Sequence, residues 1–420
     1  MKQRNTKHEK RLKKLVLTCL LLAIVLTVGT YAWFIGMQTV SVEAFEVKIA
    51  TVEDLALSLD GTENSWSTEL TITEDVLKDN AYAKTTYSWT SLKPVSTIGE
   101  ISADTNKLVM YDKGSLTATD GGYRLMSALV TNKATATDED GNTISGEEDG
   151  YVAFDLFIKN MSGDAYYDTI TDPSNEEAIY LAKDSSVTAG DSGNKVAGVE
   201  NSARIAFAQI GRVKSTAATS LIQAISCTEA TGITPICTDR LATIYEPNNK
   251  KHVDSAVTWF GKTCKTRGTD GKYTDTACTA IADGTEYKTY AVSGVIDHNA
   301  LVDVYDGMNG YTGTVAEEAA PNKLVAIDTF TDTEKEATGT ARTPFFYLAP
   351  NSITKVRVYV YLEGQDVDNY DFASLGYSIK ANFGFTKERF EGSEMGVDVE
   401  QAKQENEAAN NPAQEPDDGE

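Results

Sequence analysis

Residues 355–362 read KVRVYVYL, and apolar side chains alternate with polar or aromatic ones through the whole stretch. The alternation places Val356, Val358, Val360 and Leu362 on one face of an extended chain, and Lys355, Arg357, Tyr359 and Tyr361 on the other. A period of two residues is typical of a β-strand that has one face in a hydrophobic core. We therefore predict a half-buried strand here, in a protein that is mostly β.

Two further stretches alternate in the same way, YVAFDLFIK at 151–159 and YSIKANFGF at 377–385. Their predicted core-facing residues are Val152, Phe154, Leu156 and Ile158 in the first and Tyr377, Ile379, Ala381, Phe383 and Phe385 in the second. Asp-Gly pairs, which favour tight turns, recur at 60–61, 120–121, 140–141, 270–271, 283–284 and 306–307. Many strands joined by such turns predict a β-sandwich or jelly roll, with one short helix in TEDVLKDNAYA at 73–83.

The domain organisation follows from where this alternation weakens. Residues 33–212 and 336–386 hold the clearest strand patterns, and we predict that they form one antiparallel sandwich core. Residues 213–335 are rich in Thr and Gly, which predicts a β-rich insertion or a small second domain. Residues 387–420 are predicted to be a disordered acidic tail, because ten acids, one base and two prolines from Glu391 onward cannot bury a core.

The N-terminal segment, residues 1–32, is predicted to be a signal peptide or a membrane anchor with an apolar helix. It contains seven basic residues and one acid, and residues 15–42 contain no charged residue. Residues 15–28 have the length of a signal-peptide core, whereas a continuation to Met37 would be long enough to span a bilayer. Thr30 and Ala32 are small residues at the third and first positions before the Ala32–Trp33 bond, which favours cleavage there. Both interpretations place the rest of the chain outside the cell.

The cysteines agree with an exported protein. Cys19 lies in the apolar segment, and the remaining four are Cys227, Cys237, Cys264 and Cys278. An even number of cysteines favours two disulfides, and Cys227–Cys237 with Cys264–Cys278 is the simplest of three pairings. The alternative is a four-thiolate zinc site, which needs close CxxC-type pairs, and separations of 10 and 14 residues do not supply them.

The charge and the missing motifs exclude several functions. The formal net charge is −24, and it becomes −30 without the first 32 residues, so the surface repels nucleic acid. The sequence has no motif of a zinc protease, a serine hydrolase or a nucleotide-binding loop, and His252 and His298 are predicted to be surface or turn residues. We predict no enzyme, no catalytic residue, no metal ligand and no cofactor; a hydrolase using carboxylates alone is a distant alternative.

Two stretches have competing interpretations. DEDGNTISGEED at 138–149 is similar to a calcium loop, but its glycine does not occupy the sixth position from Asp138, so a solvated acidic hairpin is preferred over a looser Ca²⁺ site. PFFYLAP at 344–350 is interpreted as the entry to a core strand, with a sugar-stacking surface as the alternative.

Several segments together resemble the TasA–camelysin family, which comprises secreted proteins of Gram-positive bacteria with SipW-type signal peptides. The leader and first strand, GTYAWF at 29–34 and VSVEAFEVKIATVEDLALSLDG at 40–61, carry the most specific likeness. ITKVRVYVYLEGQD at 353–366 and YSIKANFGF resemble the closing strands, and DGYVAFDLFIKN and ARIAFAQIG fit the middle strands less specifically. The cysteine-bearing segment and the acidic tail lie outside the likeness.

The resemblance implies a jelly-roll-like sandwich that assembles into extracellular fibres of a biofilm matrix. Relatives that form fibres pass an N-terminal segment into the next subunit, so the strand-donor candidates here are Phe34, Val40, Val42 and Ala44. The alternative is that this segment is the first strand of its own sandwich. The parity of the apolar residues also switches between Ala44 and Phe45, which predicts a β-bulge or a bend.

These observations predict an exported, non-enzymatic structural protein at the cell surface or in the extracellular matrix of a Gram-positive-type bacterium. Its expected partners are further copies of itself, signal peptidase and the export machinery, and matrix or cell-wall components, with no nucleic acid. The alternative is a surface adhesin, held in the membrane by an uncleaved N-terminal segment, that binds glycan or protein through residues 213–335.

Overall fold

The fold is given by a computed structural model. It describes residues 42–51, 54–90, 92–112, 150–162, 176–190, 198–263, 342–364, 366–370 and 377–387, with short pieces at 118–119, 122–123, 128–129, 136–137, 143–144, 166, 265–267, 273–277, 284, 286, 290–293, 323–326 and 329–331. The predicted leader, most of the acidic stretch at 138–149, His298 and the C-terminal tail lie outside the described residues. No helix in the described part of the chain is long and apolar enough to cross a membrane.

Strands make up most of the regular structure. The strands are β1 (Val42–Thr51), β2 (Leu55–Ser58), β3 (Glu69–Ile72), β4 (Pro94–Ser102), β5 (Lys107–Asp112), β6 (Ala118–Thr119), β7 (Gly122–Tyr123), β8 (Ala128–Leu129), β9 (Ala136–Thr137), β10 (Thr143–Ile144), β11 (Val152–Asn160), β12 (Glu177–Leu181), β13 (Ser186–Ala189), β14 (Ala203–Lys214), β15 (Thr234–Pro235), β16 (Thr243–Tyr245), β17 (Lys265–Arg267), β18 (Tyr273–Ala277), β19 (Tyr290–Ser293), β20 (Lys323–Ala326), β21 (Thr329–Phe330), β22 (Phe346–Leu348), β23 (Ser352–Glu363) and β24 (Tyr377–Lys387). The helices are α1 (Glu74–Asp79), a 3₁₀ turn (Ala83–Thr85), α2 (Val199–Ser202), α3 (Thr219–Gln223) and α4 (Asp254–Thr263). The mostly-β prediction is confirmed.

The larger sheet has ten strands and is built around β23, which contains the KVRVYVYL stretch. β14 pairs with one edge of β23 and β11 with the other, both antiparallel and over most of its length. The order along one path is β21-β16-β14-β23-β4-β5-β8, with β11 beside β23, β2 beside β11 and β15 beside β14. β11, β23 and β14 therefore lie side by side at the centre of the sheet. Two of them, β11 and β23, contain stretches whose alternation is clear in the sequence.

The smaller sheet has six strands in the order β22-β12-β24-β1-β3, with β13 also paired to β24. β1 and β24 run parallel, as do β4 with β23 and β16 with β21. Both large sheets are therefore mixed, whereas the sequence predicted antiparallel pairing. The physical reason is that the alternation of side chains is the same in both kinds of strand and carries no direction.

The main hydrophobic core contains the residues that the alternation predicted in these three strands, except Tyr377, whose side chain lies outside the described part of the chain. Those of β11 and β23 are Val152, Phe154, Leu156, Ile158, Val356, Val358, Val360 and Leu362, and those of β24 are Ile379, Ala381, Phe383 and Phe385. All of them are at most 1% exposed. Because the two groups come from different sheets and belong to one cluster, this core joins the ten-stranded sheet to the six-stranded sheet.

The opposite face of the ten-stranded sheet is also buried, so the prediction of half-buried strands is wrong for β11 and β23. Tyr359 and Tyr361 on that face are 0% exposed and belong to a second core. Residues of β4 and β5 and of the segment 217–242 cover it. Tyrosine can occupy such a face because its ring is apolar, and the hydroxyl of Tyr359 accepts a hydrogen bond from the backbone N–H of Leu108 at 2.9 Å.

Local features of the sequence appear as predicted in three places. β1 has a register shift against β24 between Val42 and Phe45, which confirms the predicted irregularity at the parity switch. Helix α1 begins after Thr73, whose side-chain oxygen accepts a hydrogen bond from the N–H of Val76. β22 lies within the PFFYLAP stretch, and Phe346 is 4% exposed, which confirms a core strand there.

The segment 213–335 contributes to the ten-stranded sheet where it is described. β16 pairs with β14 over three residues, and β15 pairs with β14 over two. The boundaries of the predicted insertion stay a prediction.

Candidate functional site

The first candidate site is the N-terminal strand β1, which contains two of the predicted strand-donor residues, Val42 and Ala44. β1 pairs with β24 of the same chain from Val42 to Thr51. On its other edge it pairs with β3 over residues 47–50, and no other strand of the described part of the chain pairs with that edge. Phe34 and Val40, like the predicted cleavage site at Ala32 and Trp33, lie outside the described residues. Donation of this segment stays a prediction.

The second candidate feature is the disulfide between Cys227 and Cys237, whose Cα atoms are 5.7 Å apart. This half of the predicted pairing is confirmed. Both cysteines are buried in the second core, at 8% and 2% exposure. The disulfide therefore fixes the segment that covers the outer face of the ten-stranded sheet. Cys264 and Cys278 lie outside the described residues.

The third candidate is a buried group of charged side chains, which we call the Arg204 cluster. It brings together residues from five parts of the chain: Arg204 on β14, Glu246 after β16, His252 before α4, Glu363 at the end of β23, and Asp366 and Asp368 in the turn that follows. Strand pairing between β14 and β23 sets the position of this turn, since Ala203 lies opposite Leu362.

Arg204 is the centre of the cluster and is 0% exposed. Its Nε donates to Glu246 Oε2 at 3.2 Å, and its Nη2 donates to Asp366 Oδ2 at 2.9 Å. Its Nη1 donates to the backbone carbonyls of Asn201 and Ala203, at 2.8 and 3.1 Å. All three guanidinium nitrogens are therefore used, as a buried arginine requires.

His252 and Asp368 form the other half of the cluster. His252 Nδ1 lies 2.7 Å from Asp368 Oδ2, and the backbone N–H of Val253 donates to Asp368 Oδ1 at 3.0 Å. The side chain of His252 is 4% exposed, so the prediction that it is a surface or turn residue is wrong for its imidazole. The preceding polar residues NNKK at 248–251 indicate a surface loop. The imidazole instead points to a carboxylate that lies 116 residues away in the sequence.

Four buried carboxyl groups of the cluster surround one buried guanidinium. Burial raises the pKa of Asp366 to about 7, with Arg204 acting against this and the neighbouring Asp368 adding to it. Burial alone would lower the pKa of Arg204, but the carboxylates of Asp366, Glu246 and Glu363 raise it above its ordinary value. Arg204 therefore stays charged, and the carboxyl groups compete for it.

The fourth candidate is a polar group around Asp155, on the face of the ten-stranded sheet that carries the second core. Arg357 Nη1 donates to Asp155 Oδ1 at 2.7 Å, Lys355 Nζ lies 3.1 Å from Oδ2, and the Tyr82 hydroxyl donates to Oδ2 at 2.8 Å. A cavity of about 150 Å³ adjoins this group, bordered also by Thr86, Thr105, Asn106 and Lys107. It is smaller than the roughly 300–1,000 Å³ of ordinary small-molecule sites.

Acid is expected to weaken the fold through Asp155. Burial would raise its pKa, but the charges of Lys355 and Arg357 and hydrogen bonds from Arg357 and Tyr82 lower the pKa from 3.8 to about 2. The ionised form thus contributes about 2 kcal/mol that is present above pH ~4 and is lost as the pH falls towards ~2. Urea unfolding of the parent chain and of Asp155→Asn, measured from pH 6 to pH 2, should give two curves that converge in this window. For the control Asp239→Asn, at an exposed residue, the difference in unfolding free energy from the parent should stay constant over this pH range. A constant difference for Asp155→Asn would contradict the expectation.

Sequence reasoning did not identify either polar group. A signal for the first was present in GQDVDNY at 364–370, where two aspartates occupy alternate positions directly after an apolar strand. No such local signal marks Arg204, since its partners come from distant segments.

Comparison with known proteins adds nothing to these sites: no family model, no curated protein and no solved structure matches the chain. The resemblance to the TasA–camelysin family therefore rests on the residues quoted above.

Proposed function

We propose that the chain is an exported structural protein of the cell surface or extracellular matrix, built on a jelly-roll-like sandwich, that self-assembles through its N-terminal segment. One observation carries the proposal. β1 starts directly after the apolar segment and is embedded in the six-stranded sheet, while its second edge has no partner strand N-terminal to Val47 among the described residues. A segment that precedes β1 would thus be anchored to the sheet at its C-terminal end.

The chemistry of the preceding residues suits this role. Cleavage after Ala32 would leave residues 33–41, WFIGMQTVS, which carry no charge and are rich in apolar and β-prone side chains. Nine extended residues span roughly 30 Å, the length of a long strand. Added to an edge of a neighbouring subunit, such a segment would gain main-chain hydrogen bonds for affinity and side-chain contacts for specificity.

The two polar groups fit a structural role in this proposal. The side chains of Arg204 and Asp155 are buried and held by opposite charges from neighbouring strands or from the segments that follow them. Such ion pairs are costly to break and fix the relative positions of the strands that carry them. We assign no reaction to either group.

Removal of the N-terminal segment is expected to abolish assembly. The purified chain starting at Trp33 should form fibres or SDS-resistant oligomers by electron microscopy and gel electrophoresis, whereas deletion of residues 33–41 should leave a monomer. This deletion ends before β1, so the monomer should melt at nearly the same temperature as the parent. Val40→Pro, which removes one backbone donor from the segment, should weaken assembly in the same direction.

The matched control is a deletion of residues 391–420, which should assemble like the parent. Assembly of the chain that lacks residues 33–41 would contradict strand donation. Intact mass and N-terminal sequencing of the native protein test the preceding step. A start at Trp33 supports the proposal, whereas an uncleaved protein in the membrane fraction would favour the tethered adhesin.

A further inference from the structure

We propose that His252, Asp366 and Asp368 bind a divalent transition-metal ion, with Zn²⁺ as the best match to their chemistry. The inference is independent of the proposed assembly. His252 Nδ1 and one carboxylate oxygen from each aspartate all lie within 4.8 Å of one another. Both aspartates are 0% exposed, so this group differs from the clusters of solvated acids that are common on protein surfaces.

The distances need only a small adjustment to accommodate an ion. Zn–N and Zn–O bonds of about 2.0–2.2 Å place two ligands of one ion roughly 3–4 Å apart. His252 Nδ1 and Asp368 Oδ2 are now 2.7 Å apart, in a hydrogen bond that a metal ion would replace. The side chains have rotatable bonds that allow such shifts without moving the strands.

Buried charge provides a second and independent reason. Within the Arg204 cluster, the carboxyl groups of Glu246, Glu363, Asp366 and Asp368 are 0% exposed, and Arg204 is the cluster's one guanidinium. A buried carboxylate is strongly unfavourable unless a cation or hydrogen bonds compensate it. A divalent ion at Asp366 and Asp368 would add positive charge beside these carboxyl groups, and Arg204 would keep its contact with Glu246.

Neighbouring groups already orient the two carboxylates. Asp366 Oδ1 accepts a hydrogen bond from the backbone N–H of Asp368 at 3.0 Å, and its Oδ2 accepts from Arg204. Asp368 Oδ1 accepts from the N–H of Val253. Such outer contacts are typical of metal ligands, since they fix the direction of the oxygen lone pairs.

The ligand types select the kind of ion. Ca²⁺ and Mg²⁺ prefer oxygen ligands alone, whereas Zn²⁺ and similar ions readily accept one imidazole with carboxylates. Bound here, the ion would connect the turn after β23 to the segment before α4. The expected consequence is a more stable junction between these two parts of the chain.

The test is a Zn²⁺ titration of the chelator-treated chain starting at Trp33 by calorimetry, in a Cys264→Ser, Cys278→Ser background that removes these two thiols. We expect one ion per chain and a rise of a few degrees in the melting temperature. His252→Gln should lose most of this binding at the same concentrations, and the exposed Asp239→Asn should bind like the parent. Co²⁺ should give the visible spectrum of nitrogen and oxygen ligands without a thiolate band.

Three results would overturn the proposal: no saturable Zn²⁺ binding by the parent, binding that His252→Gln retains unchanged, or binding of Ca²⁺ alone. If His252→Gln does not fold, Asp366→Asn replaces it. The parent titration and the Co²⁺ spectrum then still decide, because neither depends on a variant at the site.

Discussion

Replacing Arg204 by methionine is expected to destabilise the folded chain by about 3–5 kcal/mol. Arg204 is 0% exposed and contacts Glu246 and Asp366, which are 0% exposed as well. Methionine fills much of the same volume but leaves these carboxylates buried without their guanidinium partner. Protonation of these carboxylates in the variant would relieve their repulsion. The loss of unfolding free energy should therefore be smaller at pH 5 than at pH 8.

The measurement is urea unfolding of both chains in the presence of a chelator. The matched control is Lys48→Met, which removes a cation from the exposed pair with Glu69, where the side chains are 42% and 54% exposed. That change should cost less than about 1 kcal/mol. Adding Asp366→Asn to Arg204→Met should recover part of the lost stability, because it removes one of the two carboxylates that have lost the guanidinium. Equally small losses of unfolding free energy in Arg204→Met and Lys48→Met would show that charge does not hold the cluster together.

Much of the strand structure could be predicted because alternation is a local property. The valines of KVRVYVYL lie in the main core, and the irregularity in β1 occurs at the parity switch. The Cys227–Cys237 disulfide was also predictable, since a short separation makes that pairing the simplest. Each of these features depends on residues that are close together in the sequence.

The direction of pairing and the second core could not be predicted in the same way. The parallel register of β1 with β24 joins residues more than 300 positions apart, and nothing in either strand specifies direction. The outer face of β23 carries Lys355, Arg357 and two tyrosines, a pattern that normally indicates solvent. Here segments from elsewhere in the chain cover it.

The Arg204 cluster escaped prediction for a related reason. In ARIAFAQIG, Arg204 alternates with Ala203 and Ile205, so a half-buried strand would expose it to water. Its burial depends on the turn after β23 and on the segment after β16, which approach it only in the folded chain. A sequence can show that a residue is charged, but its partners follow from the tertiary structure.

Replacing Phe207 by alanine is expected to cost about 3–5 kcal/mol, because its ring joins the two large sheets. Phe207 lies on β14 of the ten-stranded sheet and is 1% exposed. Its ring centroid is 5.2 Å from that of Phe383 and 5.9 Å from that of Phe385, both on β24 of the other sheet. A third ring, Phe345, lies at 5.0 Å, and all three contacts are edge-to-face.

Thermal and urea unfolding of Phe207→Ala and Phe207→Leu, with the 39%-exposed Val76→Ala as a surface control, test this role. Leucine keeps most of the buried apolar volume, so its cost should be well below that of alanine, and Val76→Ala should change stability by about 0.5 kcal/mol or less. If the sheets form one cooperative unit through this core, Phe207→Ala should lower a single transition. A split into two transitions would instead mean that the sheets unfold separately, and a loss below about 1 kcal/mol would mean that other contacts hold them together.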